Sequence, residues 1–214
     1  MAKSIDLFLI LFGSFICLYP GNNGLYVSRK NTVTLHEATQ TVRQKIKSIY
    51  SKEVGVREKT NKNDGERIAE YLQYTGLPEG YAWCASFVSW TFGQAGFKEP
   101  KTAWSPSLFP SKRVIWNRGS VKRKPFGNLK PPDVENGKSV SNDYYTPESG
   151  DVFGIYFNNL KRIAHAGFVD EWGDKYLITT EGNTNNGGSR DGDGVYRKRR
   201  PVSSIYQVAD WLSD

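Results

Sequence analysis

From Gly150 onward the chain is built of short β-rich runs: Asp151-Val-Phe-Gly-Ile-Tyr-Phe157, Ile163-Ala-His-Ala-Gly-Phe-Val169, Lys175-Tyr-Leu-Ile-Thr-Thr180 and Gly194-Val-Tyr-Arg-Lys-Arg199. Gly, Asn and Asp residues between them favour turns. No helical stretch separates the runs, so the crossovers that parallel strands need are missing and an antiparallel sheet is expected. Helical patterns come earlier. Thr34 to Glu53 sets Leu35, Ala38, Val42, Ile46 and Tyr50 on one face, and Glu66 to Tyr74 turns Ile68 and Leu72 inward before Gly76. Helices followed by tandem strands predict an α+β fold, with N-terminal helices packed on an antiparallel β-sheet. Ser203 to Leu212 reads as a short helix or a last strand.

The chain has 38% hydrophobic and 14% aromatic residues, enough for a core and too much for global disorder. Its formal charge of +7 and pI near 9.3 suit an anionic partner: nucleic acid, membrane or an acidic polymer such as a bacterial wall. Arg197-Lys-Arg-Arg200 lies inside a strand pattern and reads as a solvated edge, and no nucleic-acid-binding motif is present.

Leu7 to Leu18 is an apolar run of twelve residues after Lys3. That is the length of a signal-peptide core and short of the roughly 20 residues a membrane span needs. Residues 1–24 are therefore read as an export signal cut near 20–25. The residues before Cys17 lack the pattern of a lipidation site. Residues 25–53 form a helical extension, and 54–214 a single domain with a long loop insertion at about 98–147. Loops of that length usually serve as lids or binding loops.

With Cys17 in the signal, Cys84 is the one thiol of the exported chain. Gly76, Pro78 and Gly80 interrupt the chain before it, and Phe87, Val88 and Phe92 follow at helical spacing. Cys84 thus falls at the first turn of a buried helix, where free N–H groups and the helix dipole favour a thiolate. Taken alone, it could equally be a small buried hydrophobe. A thiol nucleophile needs a base, and the base needs an orienting group. Of the two histidines, His36 lies on the amphipathic first helix and is read as surface. His165 sits mid-strand between alanines, with Gly167 allowing close approach of another chain. The following run ends Thr180-Glu-Gly-Asn183. Glu181 and Asn183, two apart, share a face of an extended strand. Either could accept the Nδ1–H of His165 and leave Nε2 to the sulfur. Asn61-Lys-Asn-Asp-Gly-Glu66 lacks the ligand spacing of a calcium loop, and no metal site is expected.

Trp83-Cys-Ala-Ser-Phe-Val-Ser-Trp90, Ser149-Gly-Asp-Val-Phe153, Ala164-His-Ala-Gly-Phe-Val169 and Thr180-Glu-Gly-Asn183 together resemble the CHAP family, cysteine- and histidine-dependent amidohydrolases and peptidases of the papain-like, NlpC-type superfamily. Gly55-Val-Arg-Glu58 through Leu72 is similar to the lead-in of its bacterial members. The resemblance covers about Val54 to Arg199, without most of 98–147. It implies a papain-like cysteine hydrolase fold and cleavage of a peptidoglycan amide bond, as an N-acetylmuramoyl-L-alanine amidase or a stem or cross-bridge endopeptidase. The roles it implies are nucleophile for Cys84, base for His165, orienting acid for Glu181 and auxiliary polar group for Asn183. Tyr81, Trp83 and Trp104 are candidate substrate-binding aromatics, with Trp116 a further one. No cofactor is implied. The expected partner is peptidoglycan rather than nucleic acid, with an inhibitor or immunity protein as an additional one, and the expected state is monomeric. The competing expectation is a catalytically silent wall-binding module of the same fold.

Overall fold

The computed structural model describes residues 29–121, 145–187 and 191–213. The expected signal segment, its cleavage point and Cys17 lie outside the described residues, as do residues 122–144 of the long insertion and the side chain of His36.

Three helices come first: α1 (Arg29–Lys52), α2 (Glu66–Tyr74) and α3 (Cys84–Gln94). The strands are β1 (Val114–Asn117), β2 (Ser120–Val121), β3 (Val152–Phe157), β4 (Arg162–Trp172), β5 (Tyr176–Thr184), β6 (Gly194–Pro201) and β7 (Gln207–Ala209). They form one sheet in the order β2-β1-β7-β3-β4-β5-β6, with every neighbouring pair antiparallel. The α+β architecture is thus as the sequence pattern predicts. The insertion is less loop-like than expected, since it contributes a 3-10 turn at Ser105–Leu108 and the strands β1 and β2. Val114–Asn117 is too short to show a period. Among the described residues no helix is long and apolar enough to cross a membrane.

Strand alternation sorts the apolar residues onto two faces. Val152, Ala166 and Phe168 join the larger core with the helices, while Phe153, Val169, Leu177 and Val208 form a smaller cluster. Helix α1 belongs to the larger core through Ile46 and Tyr50, whose ring stacks on Phe168 at 4.6 Å. Its buried Arg43 pairs with Asp151 at 2.7 Å and Asp210 at 3.1 Å. Losing one partner of such a buried pair typically costs about 3–5 kcal/mol. Tyr71 of α2 packs edge-on against Phe87 and Trp90 of α3.

Helix α3 is buried from Cys84 through Phe92, so it needs a sheet on one side and α2 on another. Gly182 of β5 lets that packing happen at the helix start, because a Cβ there would come within 2.6 Å of the Trp83 ring and 2.8 Å of Phe87. The missing side chain brings the end of β5 against the first turn of α3, and with it the site residues.

Candidate active site

Cys84 is the first residue of α3, and no side chain caps the helix at Trp83. The first-turn N–H groups therefore have no capping side chain, and the sulfur sits at the positive end of the helix dipole. Cys84 is buried, 6% exposed, and is the free cysteine of the described residues. Its Sγ lies 3.5 Å from the hydroxyl of buried Ser105, with the His165 imidazole and the backbone N–H of Ala166 near enough to lower the pKa of the thiol.

His165 Nε2 lies 2.7 Å from Oε2 of Glu181. This reverses the expected use of the ring: Nε2 goes to the carboxylate, and Nδ1 is the nitrogen left for sulfur. The register gives the reason. Phe168 pairs with Thr180, so Glu181 falls opposite Gly167 rather than opposite His165. The carboxylate then approaches along the sheet through the space beside Gly167, where a Cβ would come within 3.0 Å of Glu181 Cγ.

Asn183 is not on the same extended face as Glu181. Its φ is 53°, and the β5–β6 register shifts between Glu181 and Thr184. Its side chain donates instead to Asn63 Oδ1 at 3.3 Å, and it lines the cleft. Strand alternation fails here because the strand is interrupted.

Glu181 is fully buried and takes further hydrogen bonds from Thr179 Oγ1 and from Nε and one terminal nitrogen of Arg200. Burial alone would raise its pKa, but Arg200 and His165 hold it far below the usual carboxylate range. Residues 197–200 lie on the edge strand β6 with Arg197 and Arg199 exposed, as the sequence suggests, but Arg200 departs from that reading. Alternate residues of β6 face opposite ways, so Arg200 reaches Glu181 while Arg197 reaches Asp170. Arg200 and Ser105 become neighbours of the site only through long-range pairing and a loop, and no local motif marks either.

Burial pushes the Cys84 thiol up, but the hydrogen bond and charge of His165, with the Ser105 hydroxyl and the Ala166 N–H, bring it down to about 7. Burial pulls the His165 imidazole down, yet its hydrogen bonds to Cys84 and Glu181 and their charges raise it to about 9. The two shifts together favour a thiolate–imidazolium pair near neutral pH.

A cleft of about 940 Å³ opens on this pair, lined by Cys84, His165, Asn61, Asn183, Arg162 and Lys198 among others. The expected aromatics divide. Trp83 is fully buried, with its indole N–H 2.8 Å from Glu58 Oε1, so it is a core residue and cannot contact substrate. Tyr81 is 55% exposed on the loop before Cys84, next to Ala82, which lines the cleft. Trp104 is 52% exposed, with the Arg162 guanidinium 4.2 Å above its ring. Trp116 is half-buried against Trp172. Among the described residues no group of three His, Cys, Asp or Glu side chains is arranged to hold a metal ion.

Thiol, imidazole and buried carboxylate in hydrogen-bonded series, with the thiol at a helix start, make up the arrangement that nucleophilic amide chemistry requires. No family model matches the chain, and comparison with curated proteins and with solved structures likewise gives no match.

Proposed function

We propose that the protein is an exported, periplasmic or extracellular cysteine hydrolase of papain-like, NlpC-type fold that cleaves an amide bond of peptidoglycan. The observation that carries this reading is the chain of contacts from Cys84 Sγ through His165 to Glu181, with Nε2 of the ring 2.7 Å from the carboxylate. The resemblance of residues 83–90, 149–153, 164–169 and 180–183 to the CHAP family supplies the substrate class, and the +7 charge suits an anionic wall.

The thiolate of Cys84 attacks the amide carbonyl carbon, and the oxyanion is met by the uncapped N–H groups at the start of α3, that of Cys84 among them. Protonated His165 passes its proton to the leaving nitrogen as the C–N bond breaks. Water then attacks the thioester, His165 takes its proton, and the acid leaves with the sulfur restored. Glu181, kept ionised by Arg200, orients the ring and balances its charge throughout.

The test is digestion of purified peptidoglycan by wild type and by Cys84→Ala. New amino termini without new reducing ends, lost in the variant, are the expected result. Equal release by Cys84→Ala would eliminate the thiol mechanism. A free lactyl group on muramic acid identifies an amidase, and a broken stem or bridge an endopeptidase.

A further inference from the structure

Among the described residues three cationic side chains line the cleft, and they differ in what they touch. Arg200 is taken up by Glu181. Lys198 donates to Thr184 Oγ1 and to the Asn185 carbonyl oxygen. Arg162, at the start of β4, donates to the carbonyl oxygen of Ile163 and sets its guanidinium carbon 4.2 Å from the centre of the Trp104 ring, with no carboxylate partner among the described residues.

The position of this pair is specific. Trp104 immediately precedes Ser105, whose hydroxyl touches the Cys84 sulfur, and Arg162 stands three residues before His165 on one strand. A strand rises about 3.4 Å per residue, so Arg162 starts about 10 Å along the strand from His165, a gap that its own side chain and an acidic side chain on the substrate residue beside the scissile bond can bridge together. Phe157, which pairs with Arg162, and Leu160 on the β3–β4 turn line the same end of the cleft. Asn61, Asn63 and Asn183 add polar lining elsewhere in the cleft.

We propose that Arg162, held against Trp104, forms a subsite for a carboxylate carried by the substrate next to the amide that is cut. The proposal rests on the hydrolase reading above and narrows it to acidic peptides. With one terminal nitrogen donating to the Ile163 carbonyl and the indole against the guanidinium, the edge formed by Nε and the other terminal nitrogen is left for paired hydrogen bonding to a carboxylate. Phe157 and Leu160 offer apolar contact to the methylene groups beside it.

Two thiol-directed probes test this without the unknown substrate: N-iodoacetyl-glutamic acid amide, which carries one side-chain carboxylate, and N-iodoacetyl-glutamine amide, which is neutral. Wild type is expected to be alkylated at Cys84 about tenfold faster by the acidic probe, the scale of one well-placed charged hydrogen bond. In Arg162→Gln the ratio of the acidic to the neutral probe's rate falls to about one. In Trp104→Ala, an exposed position, the ratio falls by a smaller factor. A ratio of one in wild type, or an unaltered ratio in Arg162→Gln, would overturn the subsite. Failure of the hydrolase reading gives a different signature: the neutral probe then labels Cys84 no faster than a free thiol at pH 7, whatever the ratio between probes.

Discussion

His165 Nε2 and Glu181 Oε2 stand 2.7 Å apart although their backbones are not opposite one another in the sheet, and the residue opposite Glu181 is Gly167. A diagonal contact of this kind depends on an empty position between the partners. The carboxylate is in turn buried and anchored by Arg200, so the imidazole meets a fixed charge rather than a solvated one.

Replacing Glu181 by Gln keeps the volume and removes the charge that stabilises imidazolium. Amide cleavage is expected to fall by roughly two to four orders of magnitude, the range seen when a histidine base loses its orienting carboxylate. Single-turnover assays on soluble wall fragments check this, and retention of more than a tenth of wild-type activity would show that Glu181 does not orient the base.

The pH profile should be bell-shaped. Cys84, lowered from 9.0 to about 7, becomes thiolate as pH rises through 7, and His165, raised from 6.5 to about 9, loses its proton as pH rises through 9. The reactive ion pair is therefore populated between these limits, with activity climbing on the acid side and declining on the alkaline side. The rate of Cys84 alkylation by iodoacetamide against pH reads the lower limb directly. A limb near the ordinary thiol value would mean that His165 does not stabilise the thiolate.

Gly167→Ala would place a Cβ within 2.9 Å of the Phe153 ring and the Thr180 carbonyl oxygen, and 3.0 Å from Glu181 Cγ. Overpacking of this size costs about 1–3 kcal/mol and displaces the carboxylate. Lower stability in denaturant titration together with slower alkylation at pH 7 is the expected pair of outcomes. A variant that is as stable and as reactive as wild type would show that the position is not filled by the Glu181 side chain.

Trp83→Phe removes the donor to buried Glu58 while keeping most of the aromatic packing against Tyr71. A carboxylate that loses one buried partner costs roughly 1–3 kcal/mol. Thermal unfolding should register that loss, with KM for wall fragments unchanged. A raised KM at unchanged stability would return Trp83 to the substrate groove.

The sequence makes β3, β4, β5 and β6 legible because each is a β-rich run several residues long between turn residues. Helix α2 shows as plainly, ending where Gly76 (φ 81°) turns the chain away. Strand β1 stays hidden, being four residues long and inside the stretch read as a loop, while β7 falls within Ser203 to Leu212, where the sequence leaves helix and strand open and only pairing with β1 and β3 decides. In the site, Cys84, His165 and Glu181 can be picked out by residue type. The ring nitrogen facing Glu181 cannot, because it depends on a register set by tertiary pairing. Trp83 misleads for a related reason: an indole beside a nucleophile looks exposed in one dimension, and only the approach of Gly182 and Glu58 shows it enclosed.

The strand order carries one consequence for how the sheet holds together. Residues 207–209 form the seam between residues 114–117 and 152–157, bonding to both. Without those three residues no strand pairing among the described residues joins the two parts of the sheet, and what holds them together then includes the packing of the turn at Ser105–Leu108 on β3 and β4. The seam joins strands that carry neither the cysteine nor the histidine, which meet because α3 packs directly on β4 and β5.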